Sequence, residues 1–213
     1  MSDLFDYLNE GISDLHPYEP GRSIEDVIAE YQPEKIVKLA SNENPLGPSP
    51  KAVEALKIHN DDLHLYPDGD SKKLKSLIAK HESLDVSNII IGNGSNEVLE
   101  LAARAFLNKD TSALMSKHAF AVYKIVTQSN GSKIIEVPTI DWRHALNDFS
   151  NYIEDSTRVC FVANPNNPTG TYNSHDEFKS MMDAIPSSIL VILDLAYFEY
   201  VTEQDYVRVN ELL

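Results

Sequence analysis

The residues best suited to chemistry in this chain stand directly after its short apolar runs. Gly92-Asn93-Gly94-Ser95-Asn96-Glu97 follows Ile89-Ile90-Ile91 and opens into a helical pattern. Its glycines permit a tight turn, and free amides at the start of a helix attract an anion. A dinucleotide-binding fingerprint needs a third glycine at the position where Glu97 stands. The segment therefore fits either a phosphate-type anion site or a plain capped helix.

Three further segments place aromatic, amide and acidic side chains after apolar runs. Phe120 follows the run that ends near Met115, and its ring fits either ordinary packing or stacking on a flat ligand. In Asn164-Pro165-Asn166-Asn167-Pro168-Thr169-Gly170, each Asn before Pro is restricted to extended backbone, which suits an amide held in one position. Asp194 follows Ile189–Leu193, where a carboxylate needs a cationic partner or hydrogen bonds to offset its desolvation. A structural salt bridge and a bound ligand both meet that need.

The elements that carry these residues alternate between continuous apolar strands and amphipathic helices. This order predicts an α/β fold with three layers, in which helices cover both faces of a mainly parallel sheet. Ligands on such sheets bind beyond the carboxyl ends of the strands, where these segments stand. The predicted strands cover 36–40, 89–91, 113–115, 134–137, 159–163 and 189–193. The predicted helices cover 71–81, 96–106, 120–129, 144–153 and 175–185, and capping patterns at Ser23 and Ser174 mark two helix starts.

Composition limits the kinds of protein that this chain can be. Its 213 residues are 42% hydrophobic, which is ample for a packed core, and its net charge of −15 offers no basic stripe for nucleic acid. The single cysteine, Cys160, lies in an apolar run and is expected to be a buried thiol. The acidic start lacks the cationic head of a signal peptide, and no apolar stretch reaches the roughly 20 residues of a membrane span. We expect a cytoplasmic location, no nucleic-acid or membrane partner, and no metal site, since His59 and His64 do not share a helical face.

Taken together, these segments resemble the fold-type I, class I/II pyridoxal-phosphate aminotransferases over nearly the whole chain. The combination of Asn164–Gly170 with the later Asp194-Leu195-Ala196-Tyr197 is specific within that superfamily. Three earlier segments, His16–Gly21, Leu39–Gly47 and Leu65–Gly69, match the histidinol-phosphate aminotransferase family in order and spacing. The chain therefore resembles that family most.

The resemblance implies a pyridoxal 5′-phosphate cofactor and assigns residues to its ring. Asp194 is implied to pair with the protonated ring nitrogen, as the catalytic acidic residue. Asn167 and Tyr197 are implied to hydrogen-bond the phenolic oxygen of the ring, and Phe120 to stack on the ring face.

The resemblance also assigns the cofactor phosphate, the substrates and a partner subunit. Ser95 and Asn96 are implied to bind the phosphate, and Tyr66 to reach the cofactor phosphate of a neighbouring subunit, which implies a homodimer. Tyr18 and Asn44 are implied to border the substrate. The implied reaction moves the amino group of glutamate to imidazole acetol phosphate and yields 2-oxoglutarate and histidinol phosphate, a step of histidine biosynthesis.

The organisation of the chain follows from the same resemblance, with two departures from the family pattern. Residues 1–50 are expected to form an N-terminal arm and part of a small domain, and residues 51–213 an incomplete cofactor-binding large domain. Leu195 replaces the usual glutamate, and its side chain should point away from that of Asp194. The family's cofactor-attaching lysine comes later than Asp194, whereas the last lysine here is Lys179. We therefore expect this polypeptide by itself to be an inactive fragment with an uncovered sheet edge.

Three alternative functions stay open at this point. A threonine-phosphate decarboxylase or another fold-type I aminotransferase, such as an aromatic one, shares the fold, and activity on imidazole acetol phosphate separates these from the reaction implied above. A non-catalytic chain that binds pyridoxal phosphate without turnover is favoured by the missing lysine. An NAD-binding domain is disfavoured by the missing third glycine.

Overall fold

A computed structural model describes residues 7–18, 20–58 and 63–212 of the chain. They divide into two compact units, one within residues 20–91 and one that combines residues 7–18 with 92–212. Each unit has its own set of elements. The predicted domain border after residue 50 stays a prediction.

The unit within residues 20–91 is helical. Its elements are α1 (Ile24–Tyr31), α2 (Pro50–Ile58), α3 (Lys72–Glu82) and a 3₁₀ turn (Val86–Asn88). Ser23 begins α1 as predicted, because its hydroxyl accepts a hydrogen bond from the Asp26 amide at 3.0 Å. The third helix confirms the one predicted over residues 71–81.

Two predicted strands in this unit are wrong. Neither 36–40 nor 89–91 forms a strand. A strand needs a hydrogen-bonded neighbour, and none of the described residues pairs with either segment. Leu39 and Ile90 are 90% and 77% exposed, so these apolar side chains do not pack in a sheet. The turn before Ser95 therefore follows irregular backbone and not the end of a strand.

The second unit is built on a parallel sheet. Its elements in chain order are α4 (Gly94–Phe106), β1 (Ser112–Ser116), α5 (Ala121–Ser129), β2 (Lys133–Val137), β3 (Thr139–Ile140), β4 (Arg143–His144), β5 (Thr157–Ala163), α6 (His175–Ala184) and β6 (Leu190–Asp194). Four strands form one sheet in the order β2-β1-β5-β6 with all neighbours parallel, and β3 pairs with β4 in a short antiparallel hairpin. The four later predicted strands and the helices predicted over 96–106, 120–129 and 175–185 are thereby confirmed, with small shifts of their ends.

The segment 144–153 does not form the predicted α-helix. The hairpin ends at His144, and a 3₁₀ helix follows at Leu146–Tyr152. Leu146 and Phe149 are both buried and stand three residues apart, which is the period of a 3₁₀ helix. Two shorter 3₁₀ helices cover Phe198–Tyr200 and Val209–Glu211.

Side chains of the sheet alternate between two layers of helices. One face packs against α6 and the 3₁₀ helix through residues that include Leu114, Cys160 and Val162. The other face packs against α4 and α5 through residues that include Ala113, Met115, Val159, Phe161 and Ala163. Because both faces are covered, the predicted three-layer α/β fold with a mainly parallel sheet is confirmed. The prediction that Cys160 is buried is also confirmed, and burial raises the pKa of its thiol.

The helix α6 of this unit is capped at its start by side chains. At the start of α6, the Ser174 hydroxyl accepts from the Glu177 amide at 3.3 Å, and the Glu177 carboxylate accepts from the Ser174 amide at 2.8 Å. This reciprocal pair is the predicted capping box. Across the described part of the chain, every helix is too short or too polar to cross a bilayer.

Candidate active site

The carboxyl ends of β5 and β6 lie side by side and define the candidate site. Ala163 is the register partner of Asp194, and the Asn164 amide donates to the Asp194 carbonyl at 2.9 Å. The Asn-Pro segment therefore begins where Asp194 ends its strand. This is the end of a parallel sheet at which ligands bind.

A small cleft opens at this end of the sheet. The cleft brings together side chains from the start of α4, the start of α5 and the loops that follow β5 and β6. Its lining residues are Ser95, Phe120, Ala163, Pro165, Asn167, Asp194, Ala196 and Tyr197.

Asp194 presents a carboxylate that is held by two hydrogen bonds. Its Oδ1 accepts from the Ala196 amide at 3.1 Å, and its Oδ2 accepts from the Tyr123 hydroxyl at 2.9 Å. In the part of the chain that the structure describes, no Lys, Arg or His forms an ion pair with it. A structural salt bridge therefore does not explain the residue, and the carboxylate retains lone pairs for a cationic ligand group.

Asn167 and Tyr197 meet beside this carboxylate. Asn167 Nδ2 lies 3.5 Å from the Tyr197 hydroxyl, so the two polar groups converge on one point of the cleft. The loop beneath them is fixed, because Asn166 Nδ2 donates to the His118 carbonyl at 2.7 Å and the Asn166 amide donates to the Thr171 carbonyl at 2.8 Å. These two hydrogen bonds agree with the expectation of a rigidly held amide. Both Asn-Pro peptide bonds of the segment are cis.

Phe120 borders the cleft with a half-buried ring. It makes an edge contact with Tyr123 at 5.7 Å between ring centroids and another with Tyr18 at 6.3 Å. Both are edge contacts and not stacked ones, so they are compatible with stacking of the Phe120 ring on a flat ligand. Through this contact Tyr18, which is 52% exposed, lies next to the cleft.

The start of α4 offers backbone amides to the cleft. Gly94 has a φ of +80°, a conformation that favours glycine, and Ser95 lines the cleft. The Glu97 carboxylate already accepts the Asn93 amide. In the described structure the Ser95 and Asn96 amides donate to no backbone acceptor, so they are the groups left for an anion. Asn96 is exposed in the first turn and is not itself a lining residue.

Two predicted site residues belong to the other compact unit. The Asn44 side chain accepts from the Leu46 amide at 2.9 Å, and the Tyr66 side chain is fully exposed. Neither lines the cleft. Their roles stay predictions.

Sequence reasoning missed Tyr123, although its hydroxyl holds Asp194. The residue is fully buried, and its ring stacks on that of Phe161 with 4.9 Å between centroids. Burial, and after it the charge of Asp194, raises the pKa of Tyr123, so the phenol stays protonated and donates. The sequence did contain a signal, because Tyr123 stands three residues after Phe120 and shares its side of the helix.

A second buried side chain, His144, lies behind the end of the sheet. Its Nε2 is 2.8 Å from the Ala163 carbonyl, and its Nδ1 is 2.6 Å from the Ser116 hydroxyl. A carbonyl can only accept, so Nε2 carries the proton and Nδ1 accepts from Ser116. Burial lowers the pKa of His144, which keeps the ring neutral. No local sequence pattern indicates this role, because the three residues come from separate elements.

No cluster of His, Cys, Asp and Glu among the described residues could hold a metal ion. His64 is part of that described set, whereas His59 lies outside the described residues.

Comparison with protein families identifies the class to which this fold and cleft belong. The model of the family "Aminotransferase class I and II" matches residues 34–212. The match covers most of the chain, and the chain belongs to this family.

Curated relatives narrow the similarity further. Histidinol-phosphate aminotransferase 2 of Pseudomonas fluorescens is 46% identical over 197 residues, which are 92% of this chain and 53% of that protein. Histidinol-phosphate aminotransferase of a Geobacillus species is 44% identical over 199 residues, which are 93% of this chain and 54% of that protein. The chain thus spans about half the length of the curated relatives it matches.

Solved structures show the same fold. Histidinol-phosphate aminotransferase from Sinorhizobium meliloti, in complex with pyridoxal-5′-phosphate, superposes with a TM-score of 0.86 at 22% identity and covers 99% of this chain and 56% of that one. L-threonine-O-3-phosphate decarboxylase from Porphyromonas gingivalis has a TM-score of 0.62 at 22% identity and covers 76% of this chain and 49% of that one. The fold is thus common to enzymes of different activity and does not by itself choose between them.

Proposed function

We propose that the polypeptide containing this chain is a histidinol-phosphate aminotransferase that uses pyridoxal 5′-phosphate. The observation that carries the proposal is the meeting of Asp194, Asn167 and Tyr197 in one cleft, in a chain whose curated relatives bear that name. The proposed reaction passes the amino group of glutamate to imidazole acetol phosphate. Its products are 2-oxoglutarate and histidinol phosphate, and it is a step of histidine biosynthesis.

The residues of the cleft match the chemical groups of this cofactor. Pyridoxal phosphate has a flat ring, a nitrogen that takes up a proton, a phenolic oxygen and a phosphate. The Phe120 ring suits the flat face, the Asp194 carboxylate suits the protonated nitrogen, and the start of α4 suits the phosphate. The Asn167 amide and the Tyr197 phenol lie together and suit the remaining oxygen.

The proposed roles follow from these contacts. Asp194 keeps a proton on the ring nitrogen by accepting from it, and its own two hydrogen bonds fix the direction of that acceptance. Asn167 and Tyr197 orient the ring about its phenolic oxygen. When bound, the cofactor would supply an electron-withdrawing ring that stabilises negative charge developing on the substrate.

The remaining predicted residues have roles at the edge of the site. Ser95 and Asn96 bind the cofactor phosphate through the start of α4. Tyr18, which contacts Phe120, and Asn44 border the substrate. Tyr66 reaches the cofactor phosphate of a neighbouring subunit, so the working enzyme is a homodimer. Its fully exposed ring is consistent with a partner there.

The covalent attachment of the cofactor is assigned to no residue between positions 1 and 213. The last lysine of this sequence is Lys179, which lies on α6 and forms an exposed ion pair with Asp183 at 2.7 Å. The activity is therefore proposed for the complete natural polypeptide. We also propose a cytoplasmic location, since the buried and unpaired Cys160 suits a reducing compartment.

The test is an assay of amino transfer with the complete natural polypeptide. Formation of 2-oxoglutarate from glutamate should depend on imidazole acetol phosphate. Asp194→Asn should lower the turnover rate by about a hundredfold or more, because a preorganised charge at the reacting ring is lost. Asp183→Asn makes the same chemical change on the exposed face of α6 and should leave the rate unchanged.

Other outcomes point to the alternatives. Release of carbon dioxide from threonine phosphate without amino transfer would assign a decarboxylase, and transfer confined to aromatic amino acids would assign a different aminotransferase. Tight cofactor binding without turnover on any of these substrates would assign a non-catalytic protein. Each of these results would overturn the proposed function.

A further inference from the structure

We propose that Tyr123 is a positioning residue that orients the Asp194 carboxylate for recognition of a protonated ring nitrogen. The inference rests on the proposed function, because it concerns the same cofactor site. Tyr123 does not line the cleft, so it acts through Asp194 and not by touching the ligand.

The orientation of the Asp194 carboxylate depends on the donors to its two oxygens. A carboxylate can rotate about its Cβ–Cγ bond unless donors hold both oxygens. Here the Ala196 amide holds Oδ1 at 3.1 Å, and the Tyr123 hydroxyl holds Oδ2 at 2.9 Å. The Ala196 bond is a local one within the turn after β6. The Tyr123 bond is the one that ties the carboxylate to a different layer of the fold.

The Tyr123 donor is held rigidly. Tyr123 is fully buried, and its ring lies nearly parallel to that of Phe161, with 8° between the planes. Its other neighbour is Phe120, which meets it at 90°. Because two aromatic contacts hold the Tyr123 ring, the position of its hydroxyl is fixed. The donor is thus fixed before any ligand arrives.

Tyr123 lies at the start of α5, close to Phe120 in the chain. Phe120 caps this helix and Tyr123 lies in its first turn, so one short element carries both the ring that borders the cleft and the donor to Asp194. A ligand ring that packs on Phe120 is thereby aligned with the carboxylate at its edge. This coupling explains why a phenol, rather than a phenyl group of the same size, stands at position 123.

The predicted consequence is a loss of discrimination at the ring nitrogen. Tyr123→Phe keeps the aromatic packing and removes only the hydroxyl. The carboxylate then gains freedom to turn, and its pairing with a protonated nitrogen weakens. The loss cannot exceed the strength of the hydrogen bond that the substitution removes, which is a bond to a charged group. We expect the preference for a ligand with a protonated ring nitrogen to fall about tenfold.

The experiment measures binding of two ligands to the complete natural polypeptide. Pyridoxamine 5′-phosphate has the ring nitrogen and cannot attach covalently to a lysine, and its 1-deaza analogue has carbon in place of that nitrogen. Dissociation constants come from fluorescence titration. The wild type should prefer pyridoxamine 5′-phosphate, and Tyr123→Phe should reduce this preference about tenfold by weakening that ligand alone.

A matched control distinguishes this role from a general effect of losing a hydroxyl. Tyr172 donates to the Asp205 carboxylate at 2.9 Å, the same bond at the same length away from the cleft. Tyr172→Phe should leave the preference unchanged. In an Asp194→Asn background, Tyr123→Phe should have no further effect on it, because the negative charge that recognises the protonated ring nitrogen is already gone.

The outcomes separate the two proposals. A wild type that binds both ligands equally contradicts the role of Asp194 and with it the proposed function. A wild type that discriminates, combined with a Tyr123→Phe variant that discriminates equally well, overturns the role of Tyr123 alone. Equal weakening of both ligands by Tyr123→Phe would show a merely structural residue and would also overturn it. The preference is a ratio of two dissociation constants within one variant, so partial loss of folded protein does not change it.

Discussion

Replacement of the buried His144 by glutamine gives the sharpest test of how the end of the sheet is held. The imidazole joins Ser116 at the end of β1 to Ala163 at the end of β5, and the residue is only 3% exposed. Glutamine has an amide that can donate to the Ala163 carbonyl. Its carboxamide also has an acceptor oxygen, but the flexible side chain does not hold donor and acceptor in the fixed geometry of the imidazole ring, so we expect the fully buried Ser116 hydroxyl to lose its acceptor.

The size of the effect at neutral to basic pH follows from that lost bond. A buried polar group left without its partner costs about 1–3 kcal/mol. We therefore expect His144→Gln to lower the free energy of unfolding by about 1–3 kcal/mol at pH 8.

The effect should shrink as the pH falls, and the sign follows from the lowered pKa of His144. The unfolded chain binds a proton there below the ordinary pKa of 6.5, whereas the folded chain resists it because the ring is buried. The unfolded state then holds more protons, so the wild type loses stability as the pH falls from 6.5 towards the folded pKa. The loss is at most about 1.4 kcal/mol per pH unit. Glutamine does not titrate, so the gap between variant and wild type should narrow.

Urea unfolding of the complete polypeptide, followed by circular dichroism at pH 8, 7, 6 and 5, measures this gap directly. The other histidines are the same in both proteins, so their contributions to the difference cancel. His81→Gln is the control, because that side chain is 85% exposed and should change stability by less than about 0.5 kcal/mol at every pH. A gap that stays constant from pH 8 to pH 5, or that widens on acidification, would refute the reasoning.

Three further predictions concern caps, core and thiol. Ser174→Ala should lower the free energy of unfolding in urea by about 1 kcal/mol, because it removes the capping box of α6. Ser71→Ala should leave this free energy almost unchanged, since Ser71 makes no side-chain bond to α3. Equal losses in the two variants would contradict this prediction. Phe178→Ala should lower the free energy of unfolding by about 3–5 kcal/mol. It should leave the dissociation constant of pyridoxamine 5′-phosphate unchanged, because Phe178 is buried on the face of the sheet opposite α5. A loss of affinity for this ligand would contradict the prediction. Cys160 should react with a thiol reagent only when the chain unfolds, since the thiol is buried and burial raises its pKa. The reaction is followed by absorbance. Rapid labelling of the folded protein would show that Cys160 is not buried in the core.

The sequence alone located the fold class and much of the cleft. Apolar runs with a helical pattern between them are local features, and a chain with this alternation has few ways to bury both kinds of element. Polar residues that follow such runs must lie at the carboxyl ends of the strands. Phe120, Asn167 and Asp194 are found in this way, and the structure brings all three into one cleft.

The failures share a physical cause, which is that pairing is not local. The apolar runs at 36–40 and 89–91 have the composition of strands, but whether a run becomes a strand depends on a neighbour that can lie far along the chain. The α-helix predicted over 144–153 is wrong for a related reason, because Leu146 and Phe149 fit a period of three as well as one of 3.6.

What the sequence determined by itself, then, is the alternation of elements, the caps at Ser23 and Ser174, and the polar groups that follow the strands. The tertiary structure decided which of those groups meet. The bond between Tyr123 and Asp194 joins residues 71 positions apart, and the bonds of His144 join three separate elements. Such contacts form only when the sheet and its helices pack, because the free energy that fixes the donors comes from burial of the whole layer and not from the residues nearby in the chain.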